Sequence, residues 1–120
     1  MTYIDGFLLA VPNDKREAYR DLAGKMWPLF KECGALRHVE CWSDDVPHGK
    51  TTDFFRAVKA EDTESVVFSW VEYPSKAVRD AANKKMREDP RMKEMGEGMK
   101  FIDGKRMVFG GFVPIMDKRA

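Results

Sequence analysis

The sequence predicts a single α+β domain in which two helices cover one face of a four-stranded antiparallel sheet. Three observations lead there. Four short stretches have the β-branched and aromatic composition of strands, and three of them are apolar on both faces. Only two long stretches carry apolar residues at helical spacing. Their order is strand, helix, strand, a polar loop, then strand, helix, strand. Two helices can blanket one side of such a sheet but not both. The bare side then calls for a second subunit or a ligand, because exposed apolar patches beyond a few hundred Å² are rare on soluble monomers.

Residues 3–11 form the first β-rich run, and Pro12 ends it. Asn13 is the expected N-cap of the first helix, with Asp14 favourable in its first turn. Ala18, Leu22, Met26, Phe30 and Cys33 then recur at helical spacing, and Tyr19, Ala23 and Leu29 widen the stripe. Pro28 lies inside this helix, four residues after Gly24, so a bent but continuous helix is expected. Gly34 supplies its stop.

Residues 35–43 return as a strand, with Leu36, His38, Glu40 and Trp42 alternating against Arg37, Val39, Cys41 and Ser43. The stretch 44–50 (DDVPHGK) is a dense turn signal. A short helical turn is expected within 54–60, around Phe54, Phe55 and Val58. Residues 65–73 form the clearest strand. Pro74 stops it, and Ser75 caps a helix over about 76–88 with a narrow face of Ala77, Val78, Ala81, Ala82 and Met86. Asp89-Pro90 restarts a short helix, with Asp as cap and Pro at the first position. The last strand is expected over 106–115, with a bulge or a close backbone approach at Gly110 and Gly111.

The chain has 120 residues, an ordinary size for one domain spanning 1–120, and a net charge of +1. That balance argues against nucleic-acid or anionic-membrane binding driven by bulk charge. No run approaches the roughly 18 apolar residues of a membrane span. The N-terminal stretch lacks a basic leader and reads as a strand, so a cytoplasmic location is expected. The two cysteines, Cys33 and Cys41, are too few for a disulfide framework and read as reduced, half-buried thiols. Alternation puts Cys41 and His38 on opposite faces, which argues against an activated thiol.

With an assumed register, Asp5, Phe7, His38, Glu40, Trp42, Phe68, Trp70 and Glu72 share the face away from the helices. A His between carboxylates on a partly dry surface is an acid/base candidate, with His38, Glu40 and Asp5 as the catalytic group. Trp42, Trp70, Phe7, Phe68 and Glu72 would hold a small aromatic or oxygenated ligand. The competing reading is a His–carboxylate pair that fixes a dimer interface in a non-catalytic interaction protein. The loop carries Asp44, Asp45, His48 and, further on, Asp53; turn capping explains them more simply than a metal, and no metal or cofactor is expected. The second helix is locally basic (Lys76, Arg79, Lys84, Lys85, Arg87, Arg91, Lys93), but no aromatics interleave with these charges. A solvated face is the better reading there, with RNA association a weaker one. Met86, Met92, Met95 and Met99 read as adaptable packing around that helix. The sequence contains no phosphate loop, nucleophile elbow, CxxC or HExxH.

Two strand–helix–strand units in tandem are the ferredoxin-like βαββαβ plan. Two such sheets packed face to face make a dimeric α/β barrel, with a homodimer through the sheet face as the expected partner. The stretches at Tyr3 (YIDGF), Glu40 (ECWSDDVP), Thr52 (TDF), Phe68 (FSW), Pro74 (PSK) and Lys105 (KRMVFGGF) together resemble a family of small bacterial proteins, domain of unknown function 1428. The resemblance spans nearly the whole chain and implies the dimeric α/β barrel fold. It implies no established activity and carries no catalytic residues over.

Overall fold

The computed structural model describes residues 2–120. Strands β1 (Tyr3–Pro12), β2 (Arg37–Trp42), β3 (Glu64–Tyr73) and β4 (Val108–Phe112) form one sheet in the order β2-β3-β1-β4. Every neighbouring pair is antiparallel. Helices α1 (Arg16–Glu32), α3 (Lys76–Glu88) and the short α4 (Pro90–Glu97) accompany it. The single-turn helix α2 (Phe54–Ala57) sits in the connection between β2 and β3. Secondary structure therefore follows the ferredoxin-like plan.

Local signals account for most boundaries. The Ser75 side chain accepts from the Val78 N–H and opens α3, and Asp89 does the same for α4 through the Arg91 N–H. Asp53 caps α2 by accepting from the Arg56 N–H. Gly34 has φ +102°, a conformation that closes α1 and suits glycine. α1 runs unbroken through Pro28 to Glu32.

Other boundaries differ from expectation. Asn13 does not cap α1. Residues Asn13–Lys15 form a 3-10 turn first, and the Asn13 side chain instead accepts from the Ser65 hydroxyl at 2.5 Å. β4 is shorter than 106–115, because it pairs only with Ile4–Leu8 of β1 and Pro114 follows it without an N–H to donate. Gly104–Arg106 form a second 3-10 turn. No bulge occurs at Gly110 and Gly111, whose register is regular. The close approach is real at Gly111, where a Cβ would collide with the Tyr3 hydroxyl and the Arg79 guanidinium. Ala18, Ala77 and Ala81 are exposed, so the buried faces are narrower than the spacing implied: Tyr19, Leu22, Leu29 and Phe30 on α1, and Ala82 and Met86 on α3.

The core lies between the sheet and the helices. Leu29 and Phe30 meet Ala35, Val71, Tyr73, Ala82 and Met86, with Met92 and Met95 packed against them. Toward the other end, Tyr19 meets Leu9, Val11 and Val67. On the opposite sheet face, Val58 is fully buried over Ala10 and Val66, so the α2 segment covers one corner. The rest of that face is open: Phe68 is 47% exposed and Phe112 61%. The chain continues past β4 with Val113, Ile115 and Met116 also exposed.

Candidate functional site in the cleft between α1 and β2

Strand register decides which of the sequence-selected residues meet. His38 pairs with Val71, Glu40 with Ser69 and Trp42 with Val67. In turn Val71 pairs with Asp5, Ser69 with Phe7 and Val67 with Leu9. Val71, Ser69 and Val67 are buried beneath the helices. His38, Glu40, Trp42, Asp5 and Phe7 therefore face the helices, not the bare side. Phe68, Trp70 and Glu72 point the other way. The single shared face expected for these eight residues is thus two faces.

Within the helix face, His38 and Glu40 are successive same-side residues of β2. Their side chains meet at 2.5 Å, His38 Nε2 to Glu40 Oε2. The second carboxylate oxygen, Oε1, accepts from the Tyr19 hydroxyl at 2.5 Å. Tyr19 comes from the buried stripe of α1, and a buried Tyr needs a partner for its hydroxyl. Burial, reinforced by the nearby Glu40 charge, pushes the Tyr19 hydroxyl well above the ordinary tyrosine range. It therefore stays protonated and donates. With Glu40 accepting, Nε2 is the ring nitrogen that carries the hydrogen of this bond, and Nδ1 is the one not engaged with the carboxylate. The His38 ring stands edge-on to Phe30, centroids 5.0 Å apart, and 6.5 Å from the ring of Trp27. Its side chain is only 7% exposed, against 23% for Glu40.

Two hollows meet at this Tyr19–Glu40–His38 chain. The outer one, about 500 Å³, opens between the first half of α1 and the β2 edge and includes Trp27 and Trp42 in its walls. The inner one, about 260 Å³, lies deeper against the sheet and is mostly apolar, with Phe7, Met26, Phe30, Ile102 and Met107 in its lining. Both volumes suit a small organic molecule or part of one. Tyr19 and Trp27 were not singled out from the sequence. The available signal was a tyrosine hydroxyl placed on an otherwise apolar helical stripe.

Asp5 belongs elsewhere. Its carboxylate takes both oxygens to Arg79 Nε, at 2.9 and 3.1 Å, and has no contact with His38. Burial raises the Asp5 carboxyl above its ordinary value, and the Arg79 charge opposes that rise. Arg79 also holds Asp80 at 2.9 Å and lies over the Tyr3 ring. This is an ion pair locking α3 to β1. Nearby, Tyr73 is fully buried and its hydroxyl has no hydrogen-bond partner among the described residues. Burial, helped by the Asp5 charge, pushes the Tyr73 hydroxyl up to about 12.

On the bare face, Trp70 Nε1 donates to Glu72 at 3.2 Å, and Arg37 stands 3.8 Å from the same carboxylate. Phe68 meets Trp70 edge-on at 5.7 Å. Phe68, Trp70 and Glu72 line an open groove of about 730 Å³ together with Ile4, Leu8, Val108 and Phe112.

The remaining polar features are occupied locally. Asp53 accepts from the backbone of Gly49 and Arg56, and His48 stacks on Phe55 at 4.6 Å. In the basic helical region, Lys76 and Arg79 hold Asp80, and Arg91 holds Glu32 and Asp89. Among the described residues, no helix is long and apolar enough to cross a membrane.

Comparisons with known proteins place this geometry in context. The chain is 68% identical over 118 residues to the uncharacterized protein YbaA of Escherichia coli strain K12, covering 98% of this chain and 100% of that one. A crystal structure of a dimeric ferredoxin-like protein from an uncultured marine organism matches with a TM-score of 0.65 at 12% identity, covering 98% of this chain and 100% of that chain. The structure of SnoaB, a cofactor-independent oxygenase from Streptomyces nogalater, matches with a TM-score of 0.62 at 11% identity, covering 97% of this chain and 95% of that chain. Identities this low speak for the fold alone. A family model described as "Protein of unknown function (DUF1428)" matches residues 2–103, and the chain belongs to that family.

Proposed function

We propose that this protein is a homodimer whose subunits each carry a small-molecule site in the α1–β2 cleft, where Tyr19, Glu40 and His38 handle a proton on an aromatic or oxygenated ligand. The observation that carries this reading is the hydrogen-bond chain itself. Glu40 is held on both oxygens at 2.5 Å, at the junction of two hollows with aromatic walls. A carboxylate that orients an imidazole and leaves its other nitrogen basic is a general-base arrangement. Trp42 and Trp27 offer flat surfaces for a ring, and Phe7 lies in the inner hollow. A cofactor-independent oxygenase among the structural neighbours is compatible with chemistry performed by side chains alone.

The homodimer half of the proposal rests on the bare sheet face. Leu8, Phe68, Trp70, Val108 and Phe112 form an apolar groove rather than a scatter of single exposed residues. A second copy of the sheet is the occupant we favour, because neighbours of this fold are described as dimeric.

One observation favours a second reading, a non-catalytic dimer. Both Glu40 oxygens already have partners, so the chain of bonds is complete without a ligand. The variant His38→Ala separates the two. The proposal expects a folded dimer that no longer binds or turns over ligand. Unchanged ligand binding in the folded variant, or no binding by the unaltered protein, would favour the non-catalytic reading.

A further inference from the structure

The mouth of the α1–β2 cleft has a charge pattern that selects among aromatic ligands. Arg16 and Arg20 lie one helical turn apart on α1, on the side that lines the outer hollow. The Arg16 guanidinium stands over the Trp42 ring, 5.6 Å from its centroid. Among the described residues Arg16 has no carboxylate within ion-pair distance. Arg20 has one, Glu17 at 3.5 Å, and both of those side chains are largely exposed. Such an exposed pair is worth little and yields to a better anion. Two cations and the exposed Glu17 carboxylate therefore frame the entrance, a net positive rim, while a second carboxylate, Glu40, lines the hollow beside Tyr19 and His38.

Resting on the ligand site proposed above, we infer that the cleft takes an aromatic carboxylic acid with a neutral hydroxyl at its far end. The acid group sits between Arg16 and Arg20, where a guanidinium matches a carboxylate with two parallel N–H donors. The ring lies along Trp42 and Trp27. The hydroxyl points inward, where Glu40 accepts its proton in a hydrogen bond; a second anion at that end would be repelled by the same carboxylate. The outer hollow, about 500 Å³, has room for a one- or two-ring molecule, and the inner one, about 260 Å³, for an apolar substituent beyond it.

The test uses 6-hydroxy-2-naphthoate and its methyl ester as probes, titrated into the intact protein and followed by calorimetry. The acid is expected to bind roughly tenfold more tightly than the ester at low salt, with the difference shrinking as salt is raised. In the double variant Arg16→Gln, Arg20→Gln, the acid is expected to weaken to the level of the ester and the ester to be unchanged. Thermal melting of that variant checks that it remains folded. Equal binding of acid and ester to the unaltered protein would overturn the acid selectivity while leaving the cleft as a ligand site. An unchanged acid affinity in the double variant would also overturn it. Absence of binding by both probes would overturn the inference and weigh against the cleft itself.

Discussion

The Tyr19 hydroxyl, on α1, donates to the Glu40 carboxylate, on β2, across 2.5 Å. That single bond joins the helix layer to an edge strand and sets one end of the carboxylate whose other end holds His38. Its removal in Tyr19→Phe leaves Glu40 with one donor instead of two in a half-buried setting. The expected cost is about 1.5–3 kcal/mol of stability, the range for a hydrogen bond to a charged group. Urea unfolding measures it; a loss below a few tenths of a kcal/mol would mean that Glu40 is solvated rather than held.

Tyr73 is the opposite case. Its hydroxyl is buried without a protein partner among the described residues, so folding takes it from bulk water with no protein hydrogen bond in return. Tyr73→Phe should be neutral or more stable by up to about 1 kcal/mol. A clear destabilisation on thermal melting would reveal a bonding partner for that hydroxyl, such as a buried water.

Glu64 and Arg106 give a signed pH dependence. Arg106 bonds both Glu64 oxygens, at 2.7 and 2.9 Å, and so ties the start of β3 to the turn before β4. That bonding, with a backbone N–H from Glu61 helping, holds the Glu64 carboxyl below its ordinary value of 4.5. The folded state therefore binds this proton less readily than the unfolded chain. The pair's contribution is present above pH 4.5 and is lost as pH falls through the lowered native value. Arg106→Gln should cost about 1–2 kcal/mol at pH 7, with the gap to the unaltered protein closing in acid. A gap that stays constant from pH 7 to pH 3 would contradict the assignment.

The bare sheet face predicts an oligomeric state. Light scattering should give about twice the 13.8 kDa chain mass. Phe68→Asp, which buries a charge in any sheet-to-sheet contact, should shift the population to monomer with little change in the monomer's own fold. A protein that is monomeric before substitution would remove the dimer from the account while leaving the α1–β2 cleft in place, because every residue of that cleft comes from one chain.

The sequence made local features legible and left long-range ones hidden. Ser75, Asp89 and Gly34 mark helix ends because capping and a positive φ are decided within a few residues. The alternation along β2 was equally readable, and His38, Glu40 and Trp42 do share a face. How β2 lines up against β3 was not, because residues 43–63 separate the strands and no tight turn fixes the register. A one-residue difference in pairing turned Phe68, Trp70 and Glu72 away from His38. Asp5 shares the histidine's face, yet it is two strands away and claimed by Arg79, which is distant in sequence. Tyr19 belonged to the buried stripe, but its partner lies on another element, so only the folded chain shows what its hydroxyl does.

The claim on which the rest depends is that ligand binds under the helices, beside His38, and not on the open sheet face. Protein-observed NMR during titration with 2-naphthol and 6-hydroxy-2-naphthoate tests it directly. The account predicts shifts concentrated at Tyr19, Trp27, His38, Glu40 and Trp42. Shifts confined to Phe68, Trp70 and Glu72, or none with either compound, would contradict it.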